Sequence, residues 1–279
     1  MLNSRQEISK FKKPNSAAEK KAKFDLLLNS IAQSHVFETF NCADLDLTSL
    51  KGVETISTRG DFNCGGNNLT SLEYSPRRVG GSFIAMGNQD LTSFVGAPDY
   101  IGEHFYVTGH PSFTTPDFLP NKIGNDCYLF RCQFTSLQGI HKFFKDGYIN
   151  GKLLIPEFIR SHLLGVLLIP NLQKVTLGAF DKTGKFAVAP TITQNKTGAV
   201  FPGNPVTGEL FHDIINNKLF VFNGAQWIEA QHADMPLTTS VVELQMALAI
   251  INRHLAKDRD VIECQQDLIN AGLKAYAQL

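Results

Sequence analysis

Long apolar runs, a dominant charge and a cysteine framework are all missing from this chain of 279 residues. The longest apolar stretch, Leu163 to Ile169, falls well short of the roughly 20 residues that cross a bilayer as a helix. It has the length of a buried strand. Lys and Arg number 26 and Asp and Glu 26, so no whole-chain field draws the protein to nucleic acid or to an anionic membrane. The 5 cysteines are an odd number at irregular spacing and make no disulfide framework. Cys127 and Cys132 are too far apart for a CxxC pair, and no second pair or HxxxH segment accompanies them, so neither a zinc site nor any other metal is expected. The GxSxG, HExxH and GxxxxGK[ST] patterns are absent. Gly60 to Gly66 is glycine-rich but opens no helix, so it is no phosphate cradle. His104 and His110 share a stretch without a carboxylate or thiolate partner, Asp44 with Asp46 reads as a turn, and Asp258 with Asp260 reads as a helix start. Cys264 has no visible base, which a nucleophilic thiol requires. The expectation is a chain without catalytic residues and without a cofactor. Its first residues, MLNSRQEISKFKK, lack the apolar core of a secretion signal, so residence in a cytoplasm is expected.

What the chain does have is a degenerate repeat with a period of 22 residues, from about Asp46 to Leu137. Leu47, Leu69, Leu91 and Phe113 form one column; Thr48, Thr70, Thr92 and Thr114 form the next; Ser49, Ser71, Ser93 and Thr115 a third. Val79, Ile101 and Ile123 form a fourth, each followed by glycine (Gly80, Gly102, Gly124). Phe134 to Leu137 repeats the text one residue early. Self-similarity at this period marks a solenoid in the leucine-rich-repeat range, in which one coil cannot bury its own apolar face and stacking does the stabilising. The boundary glycines are expected to serve tight corners at positive φ. Cys42, Cys64 and Met86 lie in one column and read as a ladder of small buried side chains.

The fold class this implies is α+β, a short leucine-rich-repeat-like β-solenoid capped by helices at both ends, with a small inserted antiparallel β-module. Residues 1–36 read as an arm and a capping helix. Ser16 with Glu19 is a capping box, and Phe24, Leu27, Leu28 and Ile31 follow at helical spacing, predicting a helix over about 17–33. The lysines at 10, 12, 13, 20, 21 and 23 read as a solvated arm and helix face, with phosphate contact as the alternative. Residues 37–177 hold the coils, the last of them carrying Leu153 to Ile155, Val166 to Ile169, and Val175 with Leu177, flanked by Pro156 and Pro170 as suits short edge strands. Residues 178–235 change character. Phe180 to Phe186 is a hairpin turning at Thr183-Gly184, and Gly208 to Ala230 a three-strand meander turning at Asn216-Asn217 and Asn223-Gly224. Residues 236–279 are two helices. The first is expected to start at a capping box of Ser240 with Glu243 and to carry Leu244, Ala247, Leu248, Ile251 and Leu255; the second starts at Asp260 with Glu263. Such ends cover what an open coil leaves bare.

The unit GDFNCGGNNLTSLEYSPRRVGG (Gly60 to Gly81) resembles the short leucine-rich-type repeats of tailed-bacteriophage proteins without an assigned activity. The unit VGGSFIAMGNQDLTSFVGAPDYIG matches well, whereas GEHFYVTGHPSFTTPDFLPNKIG departs, with His110 and Pro111 where Asn is usual. PGNPVTGELFHDIINNKLFVFNGAQWIEA is similar to small β-modules of tail-fibre and other virion proteins, where they serve assembly. The resemblance implies a structural or interaction protein of a tailed-phage virion, made in the host cytoplasm and bound to other phage structural proteins in a symmetric assembly. Trp227, Phe220, Phe222 and His212 are the candidate contact residues, a buried aromatic being the usual interface anchor. For Trp227 the other reading is packing beneath the meander. The alternative function is a non-virion phage protein that binds a host factor through the solenoid face.

Overall fold

The computed structural model describes residues 16–108, 114–130, 132–180, 186–188, 196–198, 210–213, 218–222, 226–229 and 239–279. Its strands run in chain order as β1 (Val36–Phe37), β2 (Phe40–Asn41), β3 (Ser57–Thr58), β4 (Phe62–Asn63), β5 (Arg78–Val79), β6 (Phe83–Ala85), β7 (Tyr100–Ile101), β8 (Phe105–Thr108), β9 (Lys122–Ile123) and β10 (Cys127–Phe130). They continue as β11 (Tyr148–Ile149), β12 (Lys152–Ile155), β13 (Lys174–Phe180), β14 (Phe186–Val188), β15 (Lys196–Gly198), β16 (Leu210–Asp213), β17 (Lys218–Phe222) and β18 (Trp227–Glu229). One sheet stacks β1, β3, β5, β7, β9 and β11 in that order; a second stacks β2, β4, β6, β8, β10, β12 and β13. All these pairs are parallel. The chain therefore winds through a parallel β-solenoid of about 6 turns, each turn giving one short strand to each sheet.

The core is a set of ladders running along the solenoid axis. Phe40, Phe62, Phe83 and Phe105 are register partners, and their rings lie 5.6, 5.4 and 5.8 Å apart, nearly parallel for the first two steps. Beyond Phe105 the ladder passes to Cys127, Leu153 and Val175. Val79, Ile101, Ile123 and Ile149 form the facing ladder and are fully buried. The threonine column, Thr48, Thr70, Thr92 and Thr114, is exposed. The serines form a short turn in each coil, Ser49, Ser71, Ser93 and Ser136 each accepting a hydrogen bond from the backbone N–H two residues on.

Two features of the ladders differ from the sequence expectation. First, Ala85, not Met86, stands beside Cys64. Phe62 pairs with Phe83 at a spacing of 21, one residue short, and the missing residue returns between Asn88 and Leu91. Met86 is consequently only half-buried while Ala85 is enclosed. Second, Gly80, Gly102 and Gly124 do not adopt positive φ. They are needed for closeness: a Cβ at Gly102 would overlap the Gly80 carbonyl oxygen, and one at Gly124 the Gly102 carbonyl oxygen. The positive-φ column lies elsewhere, at the turn after each Leu-Thr-Ser run.

Both ends of the solenoid are covered by helices. α1 (Ala17–Ile31) starts at the capping box of Ser16 and Glu19, whose two bonds measure 3.2 and 3.1 Å. It lays Leu27 and Ile31 into the core, and Lys20 pairs with Asp46 at 2.7 Å. At the far end, Leu164–Leu168 forms a 3₁₀ turn and not the expected strand. A continuous apolar run does not distinguish the two by periodicity; here it is a turn against the closing helices, with Leu164, Val166 and Leu167 buried and Leu168 exposed. Arg259, in the turn between those helices, donates to the carbonyl oxygens of Ile169 (2.7 Å) and Leu172.

The closing helices are α2 (Thr239–Ala256) and α3 (Val261–Asn270). Ser240, expected to cap α2, lies within its bounds, and Asp260 caps α3 through bonds of 2.9 Å from the Ile262 and Glu263 N–H groups. Asn252 of α2 accepts from the Val175 N–H and donates to the Val175 C=O, both at 2.8 Å. It thereby occupies backbone groups on β13 that would otherwise form an open strand edge.

The cap is also tied by Asp267 of α3, which accepts from Arg253 (2.6 Å) and from buried His254 Nε2 (2.9 Å). The His254 bond is the largest cause of a carboxyl pKa held below its ordinary value of 3.8; partial burial opposes it and the Arg253 charge adds to it. A carboxyl with a depressed folded pKa contributes stability above its unfolded value and loses it as pH falls through the folded value. The C-terminal cap is therefore expected to loosen below about pH 3.8, measured by thermal unfolding across acid pH, and Asp267→Asn is expected to remove that part of the dependence.

The segment between solenoid and cap contains antiparallel β-structure. β14 returns along β13 with Phe180 opposite Phe186. β16, β17 and β18 form the expected meander, and β15 joins β16 in parallel, making a sheet of four strands. The turns at Thr183-Gly184, Asn216-Asn217 and Asn223-Gly224 lie outside the described residues, as do the arm lysines before Ser16 and residues His110, Pro111 and Phe113.

Candidate recognition surfaces

The four residues singled out in the sequence all fall on the meander. Phe222 pairs with Trp227, and Phe220 pairs with Phe211 and Glu229. Because residues opposite each other and residues two apart share a face, the register places Phe220, Phe222, Phe211 and Trp227 on one face of the sheet. His212 pairs with Leu219 and lies on the other face. The aromatic candidates are thus brought together and His212 is not.

A second surface, missed in the sequence, lies on the solenoid. At the turn after each Leu-Thr-Ser run the backbone takes positive φ: Gly52 (103°), Tyr74 (67°), Gly96 (84°), Phe118 (65°) and Gly139 (72°). Three of the five are glycine, which adopts this conformation at no steric cost; a bulky aromatic does not. Tyr74 and Phe118 are nevertheless there, 44% and 58% exposed, so burial does not offset their strain. Between them, Gly96 carries no side chain, and a Cβ there would overlap the Glu73 backbone. The result is a recess of about 480 Å³ walled by the two aromatics and Phe143, with Glu54, Arg77 and Asp99 at its edge. Arg77 and Asp99 are paired at 2.9 Å and well exposed, a geometry that adds little stability. Ser75 lines the recess, is 6% exposed, and its hydroxyl oxygen has no hydrogen-bond partner. The signal that would have found this place is the substitution of an aromatic for glycine in one column of the repeat.

On the second sheet, His104, Tyr106 and Tyr128 form a compact aromatic group. The tyrosine rings stack at 4.5 Å, Tyr128 donates to Asp126 at 2.9 Å, and His104 lies 3.7 Å from the same carboxylate. Burial is the main cause pushing both tyrosine hydroxyls above their ordinary range, and at Tyr128 the Asp126 charge adds to it. His104 Nδ1 accepts from the Asp126 backbone N–H at 3.3 Å, in a half-buried cluster that packs adjacent coils together.

All five cysteines are buried. Burial pushes Cys42 up to about 12 and Cys64 and Cys127 well above the ordinary value. Cys264 is raised to about 12, by burial and then by the nearby Asp267 charge. Reactive thiols require the opposite shift. Among the described residues, His254, Asp258 and Glu263 bring possible metal-ligand atoms within 4.8 Å of one another. Lys257 already lies 3.3 Å from Asp258 and 3.4 Å from Glu263, so the two carboxylates share one ammonium partner within the cap. No helix among the described residues is long and apolar enough to cross a membrane. Comparison with family models, with curated proteins and with solved structures finds no match to this chain.

Proposed function

We propose that the chain is a structural or interaction protein of a tailed-phage particle that binds neighbouring virion proteins through its β-insert and its solenoid surface. The observation that carries the binding half of this reading is the register of the meander, with Phe220, Phe222 and Trp227 on one face of a small sheet. A sheet with several aromatics on one face, carried by the same chain as an end-capped solenoid, suits shape-complementary burial, with aromatic anchors inside a polar rim. The particle half rests on the resemblance of the repeat unit and of the meander to phage proteins.

A second reading, binding of a host factor through the solenoid face, is favoured by the exposed, strained aromatics Tyr74 and Phe118 on the coils. Solenoids present such surfaces along their length. Protein that copurifies with particles at fixed stoichiometry supports the first reading; protein found only in infected-cell lysate supports the second.

A further inference from the structure

We propose that the recess between Tyr74 and Phe118 binds a neutral pyranose ring of a glycan, a ligand that neither reading above requires. Three observations converge on a ligand. Two aromatics are held in a backbone conformation that costs a non-glycine residue of order 1–3 kcal/mol, and such strain gathers where a side chain must be presented. Neither is buried enough to recover that cost. The Ser75 hydroxyl oxygen at the recess is enclosed and unpartnered, which is costly unless something polar completes it.

The class of ligand follows from spacing and charge. Tyr74 and Phe118 stand on coils two apart, so their Cα atoms are separated by about 9–10 Å, twice the interstrand distance. Apolar contact occurs at about 3.5–4.0 Å between carbon atoms. A puckered saturated ring offers C–H groups on both faces for such contact with the two aromatic side chains. Gly96 supplies the floor of the slot because no side chain fits there. The edge holds acceptors in Glu54 and Asp99, donors in Arg77, and both in Asn121. Vicinal hydroxyls match that set: a carboxylate accepts from two adjacent O–H groups while a guanidinium donates to the same pair. Two carboxylates against one guanidinium disfavour phosphates and acidic sugars, so nucleotides are rejected by charge. A proline-rich peptide has flat apolar rings but few donors for Glu54 and Asp99. The recess, about 480 Å³, is of the size that holds small ligands, roughly 300–1,000 Å³.

The test is saturation-transfer NMR on the full chain. The probes are the methyl glycosides of glucose, galactose, mannose and N-acetylglucosamine, with adenosine monophosphate and an oligoproline peptide as competitors. The expected result is transfer to the ring C–H protons of at least one glycoside, with affinity weakened about tenfold by Tyr74→Gly and by Phe118→Gly. Both variants are expected to melt at or above the wild-type temperature, because glycine relieves the positive-φ strain, so loss of binding cannot come from unfolding. The proposal is overturned if no glycoside binds at millimolar concentration, or if binding survives both variants. Binding of the peptide or the nucleotide in place of a glycoside, lost in the same variants, overturns it in favour of that ligand.

Discussion

Asn67→Leu is expected to lower stability by about 3–5 kcal/mol and to open the first coils of the solenoid. The Asn67 amide is buried at the inside of a turn, 3% exposed. Its oxygen accepts from the Leu45 and Leu47 N–H groups at 2.9 and 3.0 Å. Its nitrogen donates to the carbonyls of Cys42, Cys64 and Gly65 at 2.9, 2.8 and 3.3 Å. One side chain thus completes the backbone of its own coil and of the coil before it. Leucine fills similar space and leaves these groups unpaired inside the protein, where each costs about 1–3 kcal/mol. Asn88 repeats the device with bonds to Leu69, Cys64 and Ala85, and its leucine variant is expected to cost less because fewer groups depend on it. Because coils touch only their neighbours, the loss is local. Amide hydrogen exchange is expected to rise at Leu45 and Leu47 before it rises at Ile149, and urea unfolding gives the magnitude.

Gly102→Ala is expected to destabilise by about 3 kcal/mol or more, despite adding a single methyl group to a residue with ordinary φ. The added carbon would overlap the carbonyl of Gly80, which is backbone and cannot rotate aside. That carbonyl belongs to the preceding coil, so the clash pushes two coils apart and stretches the parallel ladders on both sides of the corner. Gly139→Ala offers the contrast. Its would-be Cβ meets only the flexible Lys142 side chain, so its cost is the positive-φ term alone, about 1 kcal/mol. Thermal unfolding of the two variants side by side separates close approach from backbone conformation as the reason for glycine.

How much of this was legible in the sequence depends on whether a residue acts within its own coil or between coils. The leucine, threonine and valine-isoleucine columns were readable because every coil presents the same face to its neighbours. Ser16 with Glu19 and Asp260 with Glu263 were readable because a cap is completed within a few residues. Asn67 was visible only as a turn residue; its role depends on backbone N–H and C=O groups 20 to 25 residues earlier. Met86 was assigned to the cysteine column because one residue is dropped between Phe62 and Phe83 and regained before Leu91, which fixed spacing does not reveal. The glycines were recognised, but for conformation where close approach is the reason. Val166 to Ile169 looked like a strand because a largely buried turn and a buried strand are equally apolar. Of the contact residues, Phe220, Phe222 and Trp227 share a sheet face by strand register, and Arg259 and Asn252 gave no sign of closing the solenoid, since their partners lie far away in the chain. The Tyr74 and Phe118 recess was hidden for a simpler reason. Two aromatics among many carry no signal until the column they occupy is known to require glycine.

Mass spectrometry of density-purified phage particles, with copy number taken against the major capsid protein, tests the central proposal most directly. The account predicts the protein in the particle at a fixed ratio, an integer number of copies that corresponds to a ring, a fibre or a shell. Its absence from purified particles, together with abundance in the lysate of infected cells, would contradict the virion assignment and leave the solenoid face, with Tyr74 and Phe118, as the surface through which the protein acts.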